Sequence, residues 1–217
     1  MALKRFSLRP TGLLSIGQME HRLADLAARG WLLCGANWLF DIFERARPAR
    51  MCYRLEPSQE EKPGDPPPYE KQRLCREAGW AYIATADKLH VYASPAQTDA
   101  PELHTDPAEL AAAMTGYRNY YTTQAGAAGI MSALNTFFLF SHWTRQGAWS
   151  LGLAAFFLLL DLWMLCRLIF LIRSLWRLQR DLAEGRPIDH QQPYKRTLWG
   201  AWSAALALLG AGLLLFF

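Results

Sequence analysis

Hydrophobic positions follow two regimes along this chain. Up to about residue 95 they come in short periodic runs, and beyond residue 119 in long runs almost free of charge. Residues 3–8 read as a short strand. Ser15 with Gln18 forms the pattern of a capping box, in which the hydroxyl takes a free amide and the glutamine reaches back. Ile16, Met19, Leu23, Leu26 and Ala27 then recur at helical spacing, and Gly30 stands where a helix end favours a left-handed residue. Residues 31–44 are rich in aromatic and β-compatible types and predict one long strand. Residues 50–56 alternate Met51, Tyr53 and Leu55 with Cys52, Arg54 and Glu56, and predict the next. Residues 57–68 form a Pro-rich loop, a weaker helix covers 69–78, and 80–85 with 89–93 predict a hairpin around Asp87 and Lys88.

An internal repeat underlies these elements. Ala28-Arg29-Gly30-Trp31 matches Glu77-Ala78-Gly79-Trp80 at an offset of 49 residues, and Phe40-Asp41-Ile42-Phe43 stands opposite Leu89-His90-Val91-Tyr92. Two copies of helix, Gly-Trp and strand imply the order β-α-β-β-α-β. The predicted fold class is therefore α+β, a ferredoxin-like domain with one antiparallel sheet and two helices on one face, over residues 1–95.

The same residues resemble a bacterial family known as domain of unknown function 2812. The resemblance rests on Glu20 and Leu23 in the first helix, Gly30-Trp31 after it, Phe40, Tyr53-Arg54, and Ala78-Gly79-Trp80. The family usually has Asp two residues after the Arg, where this chain has Glu56. The resemblance implies no known catalytic activity. It implies members that often carry membrane segments after this domain and are often encoded beside PadR-like transcription regulators.

The second regime predicts membrane helices. No Asp, Glu, Lys or Arg occurs from residue 119 to 144 or from 197 to 217, and residues 146–172 hold only Asp161 and Arg167. Stretches of this length suggest spans at about 122–143, 148–172 and 198–217. Residues 96–121 then form a linker and a juxtamembrane helix, opened by Asp106-Pro107-Ala108-Glu109 and ending at Tyr117, Tyr120 and Tyr121. The loop after the second span carries six basic residues (Arg173, Arg177, Arg180, Arg186, Lys195, Arg196) and the loop after the first only Arg145, so the basic loop is expected inside. Residues 173–184 are expected to continue the second helix past the bilayer. Only Leu13, Leu14 and Ile16 follow Lys4 and Arg5, too few for a signal peptide. The expected location is the cytoplasmic membrane, multi-pass, with a cytoplasmic N-terminal domain and an extracytoplasmic C-terminus. Asp161, near the midplane, is expected to face protein, with Asn135 and Ser203 as hydrogen-bond candidates, while Arg167 snorkels toward the cytoplasm.

Composition narrows function mostly by exclusion. The net charge is +4 with pI about 9.0, but the basic residues form no single run, so no nucleic-acid partner is expected. Cys34, Cys52, Cys75 and Cys166 have no C-x-x-C spacing and read as free thiols. The five His residues show no ligand pairing, so neither a metal nor another cofactor is expected. There is no G-x-S-x-G, H-E-x-x-H or P-loop. The candidate binding residues are Tyr53, Arg54 and Glu56, with Arg54 and Glu56 on one strand face, suited either to an anionic or zwitterionic ligand or to a solvated ion pair. Trp31 and Trp80 join them, since Trp31, Trp38, Phe40, Trp80, Tyr82 and Tyr92 exceed what two short helices cover. The reading is a membrane-anchored, non-enzymatic regulatory or interaction module. Its expected partners are the lipid bilayer and a protein, either a transcription regulator or a transporter subunit, and a homo-oligomer is compatible with it. The alternative is an accessory subunit of a transporter or export system.

Overall fold

The computed structural model describes residues 3–10, 14–37, 39–60, 62–103, 107–143 and 148–200, the side chains of 139–140, 142–143 and 148–155 excepted. Two copies of one β-α-β-β unit come first. The first holds β1 (Lys4–Leu8), α1 (Ile16–Ala28), β2 (Trp31–Ala36) and β3 (Phe40–Arg45), and the second β4 (Met51–Pro57), α2 (Tyr69–Glu77), β5 (Ala81–Ala86) and β6 (Leu89–Pro95). Each makes its own antiparallel sheet, ordered β1-β3-β2 and β4-β6-β5. The 49-residue offset holds pair by pair: Phe6 faces Ile42 as Leu55 faces Val91, and Leu32 faces Glu44 as Ala81 faces Ala93. The register shift between Leu33 and Gly35 recurs between Tyr82 and Ala84.

This corrects the ferredoxin-like expectation of one sheet. Residues 31–44 are not one strand. The Asn37 side chain accepts from the Leu39 and Phe40 amides at 2.9 and 2.6 Å, an Asx-type turn that folds β3 back onto β2. Each unit thus closes its own three strands. Trp38 lies outside the described residues.

Local chemistry sets the helix ends. Ser15 Oγ accepts from the Gln18 amide at 3.3 Å and Gln18 Oε1 from the Ser15 amide at 3.2 Å, a full capping box worth about 1 kcal/mol. Gly30 (φ +80°) and Gly79 (φ +93°) turn the chain from helix into strand. The buried stripe of α1, with Ile16, Met19, Leu23 and Ala27, packs on Leu33 and Phe43 of its own sheet and on Tyr53 and Leu55 of β4.

Two long helices follow, α3 (Pro107–Trp143) and α4 (Ala148–Ala183). Their domain-proximal halves join the core through Met114, Tyr117, Tyr121, Leu171, Leu175 and Leu182. The Asp87 turn between β5 and β6 docks on α3, accepting from the Tyr121 hydroxyl at 2.5 Å and from that of Tyr120 at 3.3 Å. Among the described residues, no helix is long and apolar enough to cross a membrane. The expected three-span transmembrane region and multi-pass membrane location are corrected accordingly. In α3, Thr122, Thr123, Gln124, Ser132, Asn135 and Thr136 dilute the charge-free stretch, and in α4 Asp161 and Arg167 interrupt the apolar run. Absence of charge is thus a weaker signal than apolarity. Most of the third expected span, residues 201–217, and Ser203 with it, lies outside the described residues.

Candidate functional site

The densest meeting of titratable groups and open space lies where the second sheet, α1, the linker after β6 and the chain after α4 converge. A cavity of about 320 Å³ is lined there by Glu20, Arg54, Glu102 and His190, with Leu103, Leu110, Leu182 and Ile188 among its apolar walls. A larger space of about 470 Å³ opens beside the start of α1, where Asp181 and Arg186 pair with each other at 3.1 Å on the surface.

Glu20 comes from the core-facing stripe of α1 and is 3% exposed. It is there because β4 is an edge strand whose Leu55 amide has no strand partner, and Glu20 Oε1 accepts that amide at 2.8 Å. Its other oxygen meets Nδ1 of His190, so the pair holds a proton between them. Burial holds the Glu20 carboxyl above the usual carboxylate range, against the pull of His190, the Leu55 amide and Arg54.

Arg54 projects from β4. Its Nε donates to Glu102 Oε2 at 2.7 Å, a terminal nitrogen donates to Glu102 Oε1, and the other donates to the Tyr53 carbonyl at 2.9 Å. The guanidinium lies over the Trp80 ring, 5.5 Å from its centroid. Trp80 in turn donates through Nε1 to the Pro101 carbonyl at 2.7 Å, which seats the linker next to Glu102. The bonds from Arg54 hold the Glu102 carboxyl below the usual range. His190 Nε2 stands 4.0 Å from Glu102 and so links Glu20 to the Arg54–Glu102 pair.

His190 is delivered by the segment after α4. Gly185 (φ +78°) ends that helix, with the Gly185 amide bonded to Leu182 O and the Arg186 amide to Asp181 O, both at 2.9 Å. Residues 186–197 then run along α1 as a strap. Ser15 Oγ donates to Gln192 Oε1 at 2.9 Å, Gln18 Nε2 to the Pro193 carbonyl at 2.9 Å, and the Tyr194 hydroxyl to Asp25 at 2.5 Å; His21 bonds the Gln192 carbonyl at 2.9 Å. Gly17 permits this approach, since a Cβ there would stand 2.1 Å from the Asp189 carbonyl oxygen.

The structure therefore divides the residues singled out by sequence. Arg54 and Trp80 stand together at the cavity. Tyr53 is core, 2% exposed, and points to the other side of β4. Glu56 shares the face of Arg54 but is buried beside α2, where Lys71 donates to it at 2.8 Å. Trp31 stands at the equivalent place in the first unit, between Arg5 and Arg45. Asn135 donates to Asp161 at 2.9 Å between α3 and α4, and Arg167 lies over Trp163, all far along the helices from the cavity. Sequence reasoning missed Glu102 and His190 as site residues, and quoted Glu20 only for the resemblance. A carboxylate at a core-facing helix position was the one available signal for Glu20.

Among the described residues no group of His, Cys, Asp or Glu has the arrangement of a metal site. A family model described as "Protein of unknown function (DUF2812)" matches residues 15–125, just over half of the chain. That span holds Glu20, Arg54, Trp80 and Glu102, but not His190. No curated protein and no solved structure matches the chain. On the strength of that match, the chain belongs to the DUF2812 family.

Proposed function

We propose that the chain is a non-enzymatic regulatory module, in which occupancy of the cavity alters how the duplicated domain is held to the helical pair, and so alters binding of a protein partner. The observation that carries this reading is the ownership of the walls. α1, β4, the linker, α3, α4 and the strap each contribute a side chain. A ligand seated there touches every part of the molecule that would have to move. The lining favours binding: its described residues offer no hydroxyl, thiol or amine nucleophile, and its carboxylates are already engaged, Glu102 by Arg54 and Glu20 by His190 and the Leu55 amide. The helical pair also exposes Ile130, Phe137 and Phe138 of α3 and Leu162 and Ile169 of α4, an apolar surface of the kind that takes a protein partner. A transcription regulator is the partner the family resemblance suggests.

The test uses Gly17→Ala in the full chain, whose added methyl drives the strap off α1. Amide exchange should rise in residues 107–121 and 171–183 while both sheets keep their protection, and a protein that copurifies with the wild type should be lost. Unchanged exchange and partner recovery would overturn the coupling. Turnover of a small substrate by the purified wild type, abolished by Glu20→Gln, would replace it with an enzyme.

A further inference from the structure

Glu102 and Arg54 are unequal partners. The arginine side chain is 17% exposed and the carboxylate 49%. If the pair separates, the carboxylate leaves and the arginine stays. We propose that the cavity is the receptor site for a small apolar monocarboxylate and that Glu102 is a tethered stand-in for its carboxyl group. This rests on the regulatory reading above and gives that site its ligand class.

Three observations support it. First, the arginine is poised without its acid. The Trp80 ring and the Tyr53 carbonyl hold the guanidinium, and neither contact needs Glu102. The first unit repeats the device at the 49-residue offset, with Arg5 over Trp31 at 5.6 Å, and there no carboxylate pairs with the arginine among the described residues. Second, the fork geometry suits a planar two-oxygen anion, which is how Glu102 meets it. Third, beyond Glu20 and His190 the wall is apolar: Leu103, Leu110, Leu182 and Ile188 would take a hydrocarbon body, in a volume at the small end of ligand pockets. A ligand carboxylate replacing Glu102 leaves the charge of the site unchanged.

Displacement also has a mechanical result. Glu102 is one of two described side-chain ties between the second unit and the linker, the other being Trp80 to Pro101, and α3 begins five residues later at Pro107. Ligand binding would loosen the linker where it feeds α3. Because Glu102 is tethered, it competes at high effective concentration, so the wild type should bind weakly.

Isothermal titration of the full chain with hexanoate, using hexan-1-ol as the uncharged control, tests the proposal. Glu102→Ala should bind hexanoate about tenfold more tightly than wild type, because the competent state is no longer masked. Arg54→Ala should abolish binding, alone and combined with Glu102→Ala, and hexan-1-ol should not bind measurably. Leu182→Trp should block the cavity with Arg54 intact. Thermal melts check that each variant folds, and if Arg54→Ala does not, Leu182→Trp and the alcohol control still decide. Hexanoate binding no tighter to Glu102→Ala than to wild type overturns the tethered acid, and equal binding of alcohol and acid overturns the carboxylate site. If hexanoate fails throughout while Gly17→Ala still releases the partner, the ligand class falls and the regulatory reading stands.

Discussion

The two β-α-β-β units share strand order, register and bulge, yet fill equivalent positions with opposite chemistry. In the first, the buried charge sits on the last strand: Asp41, 2% exposed, accepts from Arg9 at 2.9 Å and from Arg22 of α1 at 2.6 Å, and Arg22 also donates to Ser7 at 2.8 Å. In the second, the acid has moved to the first strand. Glu56 replaces Ser7 and takes Lys71, the equivalent of Arg22, while His90 stands where Asp41 was. His90 bonds Thr85 and Glu60, each at 2.8 Å, and burial holds its imidazole below the usual value of 6.5, against the pull of Glu60. The backbone plan therefore does not dictate where the charge goes. It requires only that the helix cation find one buried acid on the face it covers. The exposed faces differ as well. Phe6 and Leu8 of β1 are 62% and 47% exposed, whereas their equivalents Leu55 and Pro57 are buried. The second unit is the one whose edge strand meets the linker and the long helices, while the strap lies along α1 of the first, and the cavity opens where these parts converge.

The comparison breaks most visibly at its buried acids. Asp41→Ala leaves two buried arginines without their counter-charge and should cost about 3–5 kcal/mol in urea unfolding. Glu56→Ala should cost less, about 1–3 kcal/mol, because the Lys71 side chain is 37% exposed and can turn to water. Equal losses would mean that the two networks do the same structural work and that the displaced acid has no consequence.

Much of this duplication was legible before the structure. The Gly-Trp repeat is written in the residues because a helix end at positive φ needs glycine in both units. The sheet count was not legible, since one Asn side chain at residue 37 decides whether residues 31–44 run on or fold back, and β propensity is blind to it. The face shared by Arg54 and Glu56 followed from strand alternation, but their separation followed from what covers that face, the linker over one and α2 over the other. Glu102 and His190 were beyond reach for a related reason: they meet Arg54 and Glu20 across 48 and 170 residues, and no local pattern encodes such a meeting. The helical half misled because missing charges were read as apolar length, although α3 is rich in hydroxyl and amide side chains.

The next expected effect separates the units by pH. With the folded pKa of His90 lowered, the unfolded chain takes up a proton first as pH falls below about 6.5. The unfolded state then binds more protons than the folded one, so stability is present above that pH and lost below it. Each unit of lowering is worth about 1.4 kcal/mol. Unfolding midpoints at pH 7.5 and 5.5 should diverge in the wild type and converge in His90→Gln, whose amide cannot titrate. A His90→Gln protein with the wild-type slope would place the acid sensitivity elsewhere.

The smallest effect is the most telling for the cavity. Arg5→Ala removes a cation from over Trp31, an interaction worth about 0.5–1 kcal/mol at an exposed site. Arg45 remains, 5.1 Å from the same ring centroid and anchored to the Arg29 carbonyl at 3.1 Å, so much of that loss should be recovered. Arg54→Ala has no such substitute among the described residues: it strips Trp80 of its cation and Glu102 of both its bonds. Urea midpoints should therefore stay almost unchanged for Arg5→Ala and fall measurably for Arg54→Ala. An equal fall would make the arginine-on-tryptophan contact a structural staple in both units, and the second unit's copy would lose its claim to be a poised receptor. A difference confined to Arg54, and abolished when Glu102→Ala is the background, would assign it to the tethered acid. The arginine itself would then cost the fold little to expose, as a group that exchanges one carboxylate for another requires.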